Sequence, residues 1–224
     1  MADLKKYFSY LAYPTVLSLF LVNLIPIFGV LFFGWDIFTI LILYWLESTV
    51  VGFFNVLKMQ HIKDIGLTKK NRQSKTDKIS EPTKIFFIVF FIIHYSMFMF
   101  GHLFFIVTFF KPDLPKTTYT DVAFITVFSY LKTLFISLSF LFLSHAISYI
   151  YNFIKKQEYL KTTINKQMFA PYKRIVTMHL TIIFGGFFAT ALGFGMSAVI
   201  ILVFLKIVMD FSAHITEHKG LILK

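Results

Sequence analysis

Cysteine is absent from the 224 residues, which excludes disulfides and thiolate metal ligands while leaving the redox compartment open. Acid is scarce as well: 11 Asp and Glu stand against 22 Lys and Arg, a formal net charge of +11. Such an excess raises the question of a nucleic-acid partner. The placement of the basic residues argues against nucleic acid, because they sit in short segments between apolar runs. That pattern suits anionic lipid headgroups instead. The alternating polar faces that a soluble core needs are missing too. No internal repeat is visible, which argues against a transporter built from inverted halves.

What is abundant is apolar and aromatic. Hydrophobic residues make up 57% of the chain and aromatics 20%, with a mean hydropathy of +0.74. Soluble domains are about half apolar, and runs of roughly 18 or more apolar residues match the thickness of a bilayer core. The expectation is therefore an all-α, polytopic membrane bundle of about six transmembrane helices forming one domain over 1–224. The helices are predicted near 10–33, 36–58, 84–110, 121–154, 173–192 and 195–218. Pro14 and Pro26 fall in the first, where neighbouring helices can satisfy the freed backbone groups. A tight turn at Gly34-Trp35-Asp36 follows it, and Gly193 and Gly195 mark the last turn. In the long fourth segment, the stretch from Asp121 to Lys132 is expected along the outer interface and the span itself from Thr133 to Ile154. Lys5 and Lys6 precede an apolar run too long for a signal peptide and without a small-residue cleavage site, so that run is read as a retained first helix.

Orientation follows from lysine and arginine. With the N-terminus inside, the outer segments hold only Lys111 and Lys116, while Lys132 and Lys206 fall in or beside the spans and the rest lie on the inner side. The positive-inside rule then places both termini in the cytoplasm and the protein in the cell membrane, crossing it several times. The lysine-rich segment 59–83 is expected to be a mobile cytoplasmic loop.

Within the spans lie groups that cost roughly 2.5–3.5 kcal/mol each when charged near the bilayer centre, and such groups mark function by default. They are Glu47, His94, His102, His145, His179, Lys206, Asp210, His214 and His218. Counting the helical rise from each cytoplasmic helix end puts Glu47, His94, His145 and Asp210 roughly 13–17 Å deep, and His179 and His214 roughly 7–10 Å deep. These six are expected to share one layer, with His102 about 12 Å further out and in a separate role. Lys206, Asp210, His214 and His218 recur every fourth residue and form one stripe. His214-x-x-x-His218 sets two imidazoles on adjacent turns, close enough for one ion, with Asp210 as a third ligand or an orienting carboxylate and Lys206 as its ion-pair partner. The expected metal ligands are therefore His94, His145, His179, Asp210, His214 and His218, with Glu47 and Asp210 as the catalytic carboxylates. Imidazole and carboxylate without sulfur suit zinc or non-haem iron, whose open position activates water or polarises a carbonyl. The leading expectation is a metal-dependent hydrolase acting on a lipid-like substrate. A proton- or ion-coupled transporter or channel is the second, and a haem protein using His94 with His145 or His179 the third.

Bland roles are equally concrete. A lone intramembrane histidine more often bridges helices than binds metal, His61 and His218 suit the headgroup region, and Lys132 suits snorkelling. Ser144, Ser148, Asn152, Gly185 and Gly186 read as packing contacts, while Tyr44, Trp45 and Tyr172 read as anchors or site-lining groups.

The segments LYWLESTVVGFFNVLKM (43–59), HYSMFMFGH (94–102), SHAISYIYNF (144–153), PYKRIVTMH (171–179) and KIVMDFSAHITEH (206–218) resemble an uncharacterised family of small prokaryotic polytopic membrane proteins. That resemblance implies a shared bundle and no known activity. A looser one is to intramembrane metal hydrolases of the alkaline ceramidase and adiponectin receptor type, where a late-helix His-x-x-x-His holds zinc. There His214 and His218 match the late pair and His94 the early histidine. The chain departs from those enzymes in having six expected helices rather than seven, no Ser-x-x-x-His, and its Asp on the last helix.

Overall fold

Gly34 ends the first helix because it adopts the left-handed conformation (φ 63°) that a side chain resists. The Trp35 N–H then donates back to the Gly29 carbonyl (3.1 Å). Asp36 starts the next helix as its cap, accepting from the Thr39 N–H (2.8 Å) and the Thr39 hydroxyl (2.5 Å). The expected turn at 34–36 is thus present, and it is built by its own residues.

The computed structural model describes residues 25–63, 79–110, 119–192, 200–204 and 208. The described residues are helical apart from short connections, with no strand among them. Helix α1 covers 25–33, α2 Ile37–His61, α3 Glu81–Phe110, α4 Tyr119–Ser148, α5 Ile164–Phe169, α6 Tyr172–Leu192, and α7 the helical residues 200–204. Among the described residues, three helices are long and apolar enough to cross a membrane: α2, α3, and α4 from Val127 on, continued to Lys155. The helices predicted at 36–58, 84–110, 121–154 and 173–192 correspond to α2, α3, α4 and α6, with ends shifted by a few residues. Helix α3 starts earlier than expected because Ser80 caps it, its hydroxyl accepting from the Thr83 N–H (3.4 Å). Pro82 fits its first turn, where the missing N–H costs nothing. Gly193, Gly195, Lys206, Asp210, His214, His218 and most of 59–83 lie outside the described residues.

Two compact units divide the chain, one of Met1–Ile40 with Phe184–Lys224 and one of Leu41–Ile183. In the first, Gly185 on α6 lets the Leu202 side chain of α7 approach where a Cβ would collide with it.

In the second unit α2 is central: 72% of its most apolar window is buried, against 22% for α3 and 11% for α4. The outer faces of α3 and α4 carry Ile93, Met97, Phe128, Phe135, Ile136 and Phe140, all exposed, as lipid contact requires. Helix α2 locks onto α3 through the Trp45 indole N–H donating to the Met99 carbonyl (2.7 Å) and the Tyr95 hydroxyl donating to the Ser48 carbonyl (2.8 Å). Gly52 makes room for the Tyr95 ring, which a Cβ would strike.

Helix α4 does not end as an α-helix. It widens into a π-helix over Tyr149–Lys155, buries Phe153, and reverses at Gln157, a non-glycine residue with positive φ (55°). A 3-10 turn at Glu158–Leu160 and the Thr163-capped helix α5 follow. This stretch was not anticipated from the sequence. Helix α5 packs on α3, and Gln167 Nε2 donates to the buried Asn55 Oδ1 on α2 (2.7 Å). The chain therefore climbs back alongside α2 and α3 before α6 begins.

Candidate functional site

That return path decides where the polar residues of α6 stand. Tyr172, the first residue of α6, meets His94 of α3, hydroxyl to Nδ1 at 2.5 Å. Helix α6 thus starts about 20 Å along α3 from Glu81, at a helical rise of 1.5 Å per residue. Two residues further, Arg174 forms an ion pair with Glu47 of α2 (2.5 Å), their side chains 22% and 6% exposed. Ser48 also reaches α6, its hydroxyl donating to Met178 Sδ (3.7 Å). Still further along, His179 meets His102 of α3, Nδ1 to Nε2 at 3.2 Å.

Glu47, His94, His145 and His179 therefore occupy three levels rather than one layer. His145 sits lowest, beside Phe54 on α2 (ring centroids 6.2 Å), yet close enough to feel the charges of Glu47, Arg174 and Lys58. Glu47, Arg174, His94 and Tyr172 form the middle level. His102 and His179 form the third. Counting depth from each helix end assumes that all helices start at the same height. The connection through α5 violates that assumption for α6, and His179 moves up to the level of His102.

Hydrogen accounting fixes the chemistry of the third level. His102 Nδ1 lies 2.7 Å from the Phe98 carbonyl oxygen, which only accepts, so Nδ1 carries the proton and donates. In the neutral ring Nε2 is then a bare acceptor, and His179 Nδ1 must donate to it. That leaves His179 Nε2 with a lone pair. The two rings stand edge to face (83°, centroids 5.3 Å). His102 is buried, whereas His179 is exposed.

Beside the pair runs a half-open groove of about 300 Å³ between α3 and α6. Met97, Phe98 and Phe105 line it from α3, and Ile182 and Ile183 from α6. Its floor is Gly101, where an added Cβ would meet open space. His102 and His179 are the polar side chains of its wall. The helix that carries its α3 wall is apolar and of membrane length.

Among the described residues no three His, Asp or Glu side chains gather as a ligand set. His94 is joined to Tyr172 and Glu47 to Arg174, while His61 is exposed, with Nδ1 near the Leu57 carbonyl (3.0 Å) and the Tyr149 hydroxyl (3.2 Å). Lys132 is exposed. Of the two partners Arg174 and Tyr172, the first was missed in the sequence, whereas Tyr172 was expected there as an anchor or site-lining group. A signal existed for the first: a buried carboxylate demands a cation, arginine is the residue best suited to buried pairs, and the chain holds arginine only at 72 and 174.

A family of unknown function (DUF6498) matches the chain over residues 8–221. Comparison with curated proteins and with solved structures found no match to either.

Proposed function

The chain belongs to that family of unknown function, and we propose that it is a multi-pass protein of the cell membrane that takes a lipid-like substrate into the groove between α3 and α6 and acts on its polar head at His102 and His179. About six spans with both termini in the cytoplasm complete the reading, supported by the lysine asymmetry between inner and outer segments. The observation that carries it is the coincidence of the pair with the groove. The His102 and His179 nitrogens approach to 3.2 Å at the wall of an otherwise apolar channel of about 300 Å³. An acyl chain fits such a lining, and its carbonyl or headgroup finds the imidazoles. Hydrolysis of an ester or amide at that head is the reaction class the placement suits. In it, water oxygen bonds to the carbonyl carbon, the bond to the leaving oxygen or nitrogen breaks, and the water proton ends on the leaving group.

The test uses a photoactivatable fatty-acid probe in detergent micelles or nanodiscs, with labelled positions read by mass spectrometry. The reading expects adducts at Met97, Phe105 or Ile183, lost in Gly101→Leu, which fills the groove from a position with space for it. Adducts spread evenly over α3 and α4 and unchanged by Gly101→Leu would sink it.

A proton- or ion-coupled transporter is the second reading. It is favoured by the stacking of His145, then Glu47–Arg174 with His94–Tyr172, then His102–His179 along the second unit. A pH-driven flux in proteoliposomes that disappears in Glu47→Gln would select it.

A further inference from the structure

We propose that the groove between α3 and α6 binds a neutral, single-chain lipid by its hydroxyl, which donates to His179 Nε2. This rests on the reading of the groove as a lipid site, and it names the head that the two imidazoles recognise.

Donor accounting is the first argument. The pair's N–H groups are both used inside the protein: His102 Nδ1–H on the Phe98 carbonyl (2.7 Å) and His179 Nδ1–H on His102 Nε2 (3.2 Å). The nitrogen left over is His179 Nε2, and it offers a lone pair. The ring that carries it is exposed and lines the groove. A wall made this way selects a donor. A lipid hydroxyl is one, whereas an ester carbonyl or an ether oxygen only accepts and finds no N–H to meet. A carboxylate or phosphate fares worse, because it brings a charge to an apolar wall where, among the described residues, no Lys or Arg stands.

Shape is the second argument. Met97, Phe98, Phe105, Ile182 and Ile183 give the rest of the lining a hydrocarbon character. The volume of about 300 Å³ lies at the lower end of ligand cavities, which run from roughly 300 to 1,000 Å³. One slender chain suits that space better than the paired chains of a phospholipid. Orientation is the third. The Phe98 carbonyl fixes the proton of His102 on Nδ1, which makes Nε2 an acceptor and holds His179 with its bare nitrogen outward. His102 is thus a positioning residue that acts through His179.

An alcohol is also what hydrolysis of an ester releases. In that reaction His179 Nε2 takes a proton from water as the water oxygen bonds to the carbonyl carbon. The bond to the leaving oxygen then breaks, that oxygen receives the proton, and the alcohol so formed donates to the same lone pair.

The experiment compares a long-chain alcohol carrying a mid-chain diazirine with its methyl ether, each photolysed with the protein in nanodiscs. Adducts at Met97, Phe105 and Ile183 are read by mass spectrometry. The ether keeps the chain and the oxygen and removes only the donor. The alcohol is expected to label these positions about three- to tenfold more than the ether, the effect of one hydrogen bond. In His179→Phe, which keeps a ring and loses the lone pair, the two probes are expected to label equally. In His179→Gln, whose amide oxygen accepts, part of the preference is expected to return. Titration of wild type with the plain alcohol, followed by ¹⁵N NMR of the histidines, needs no variant: the His179 Nε2 resonance is expected to shift and the His102 Nδ1 resonance to stay. Equal labelling by alcohol and ether in wild type, a preference that survives in His179→Phe, or an unmoved His179 Nε2 resonance overturns the hydroxyl and leaves the groove standing. Adducts from neither probe at the three positions refute the groove reading and this inference with it.

Discussion

Removing Arg174 tests the energetics of the middle level. The Glu47 side chain is 6% exposed and the Arg174 side chain 22%. Breaking a buried pair from one side costs about 3–5 kcal/mol, because the remaining charge loses its compensation in a poorly solvated place, whereas an exposed pair is worth about 0–1 kcal/mol. Arg174 keeps some contact with its surroundings, so the lower end applies: Arg174→Ala is expected to destabilise by about 3 kcal/mol. Glu47→Ala should cost a similar amount. The double variant Glu47→Leu, Arg174→Met should recover most of the loss, because well-packed apolar side chains replace buried ion pairs at little cost. Unfolding by sodium dodecyl sulfate in mixed micelles, read by tryptophan emission, measures this well, since Trp45 is bonded across α2 and α3 and the chain has only 2 tryptophans. A loss below about 1 kcal/mol in Arg174→Ala, or a double variant as unstable as the sum of the singles, would refute the claim that the pair is buried and coupled.

Gly101→Ala should stabilise by about 0.5–1 kcal/mol, read in the same assay, because it raises helix propensity at a position where the new methyl meets nothing. Gly52→Leu should destabilise by about 1–3 kcal/mol by driving into the Tyr95 ring. Tyr172→Phe should cost about 0.5–1.5 kcal/mol through the lost bond to His94, with the helix content by circular dichroism unchanged. Since cysteine is absent, single cysteines report topology cleanly. Lys116→Cys should react with an impermeant maleimide in whole cells and Ser74→Cys only after lysis, and the reverse pattern would invert the orientation.

The helices were legible because a membrane-length apolar run has few alternatives, and the 34–36 turn because glycine and aspartate each have a specific local task there. The heights were not legible. Hydropathy places a segment across a bilayer but says nothing about where a helix starts relative to its neighbour. The segment from Glu158 to Pro171 is mixed in polarity and short, so nothing in its pattern announced that α5 would pack on α3 and deliver Tyr172 beside His94. The single layer dissolved for that reason, and His102, set apart in the sequence, acquired His179 as its partner. Arg174 was counted as an orienting charge at the foot of a helix, a role that its sequence position suggests, although it reaches Glu47. Asp210, His214 and His218 keep the status they have in the sequence, since they lie outside the described residues.

The two imidazoles acting as one hydrogen-bonded unit are tested most directly by NMR of the protein labelled with ¹⁵N-histidine, near pH 8. The expected spectrum has His102 and His179 both neutral and both protonated on Nδ1, with a coupling across the hydrogen bond between His179 Nδ1 and His102 Nε2. Protonation of both rings on Nε2, with no coupling between them, would contradict it.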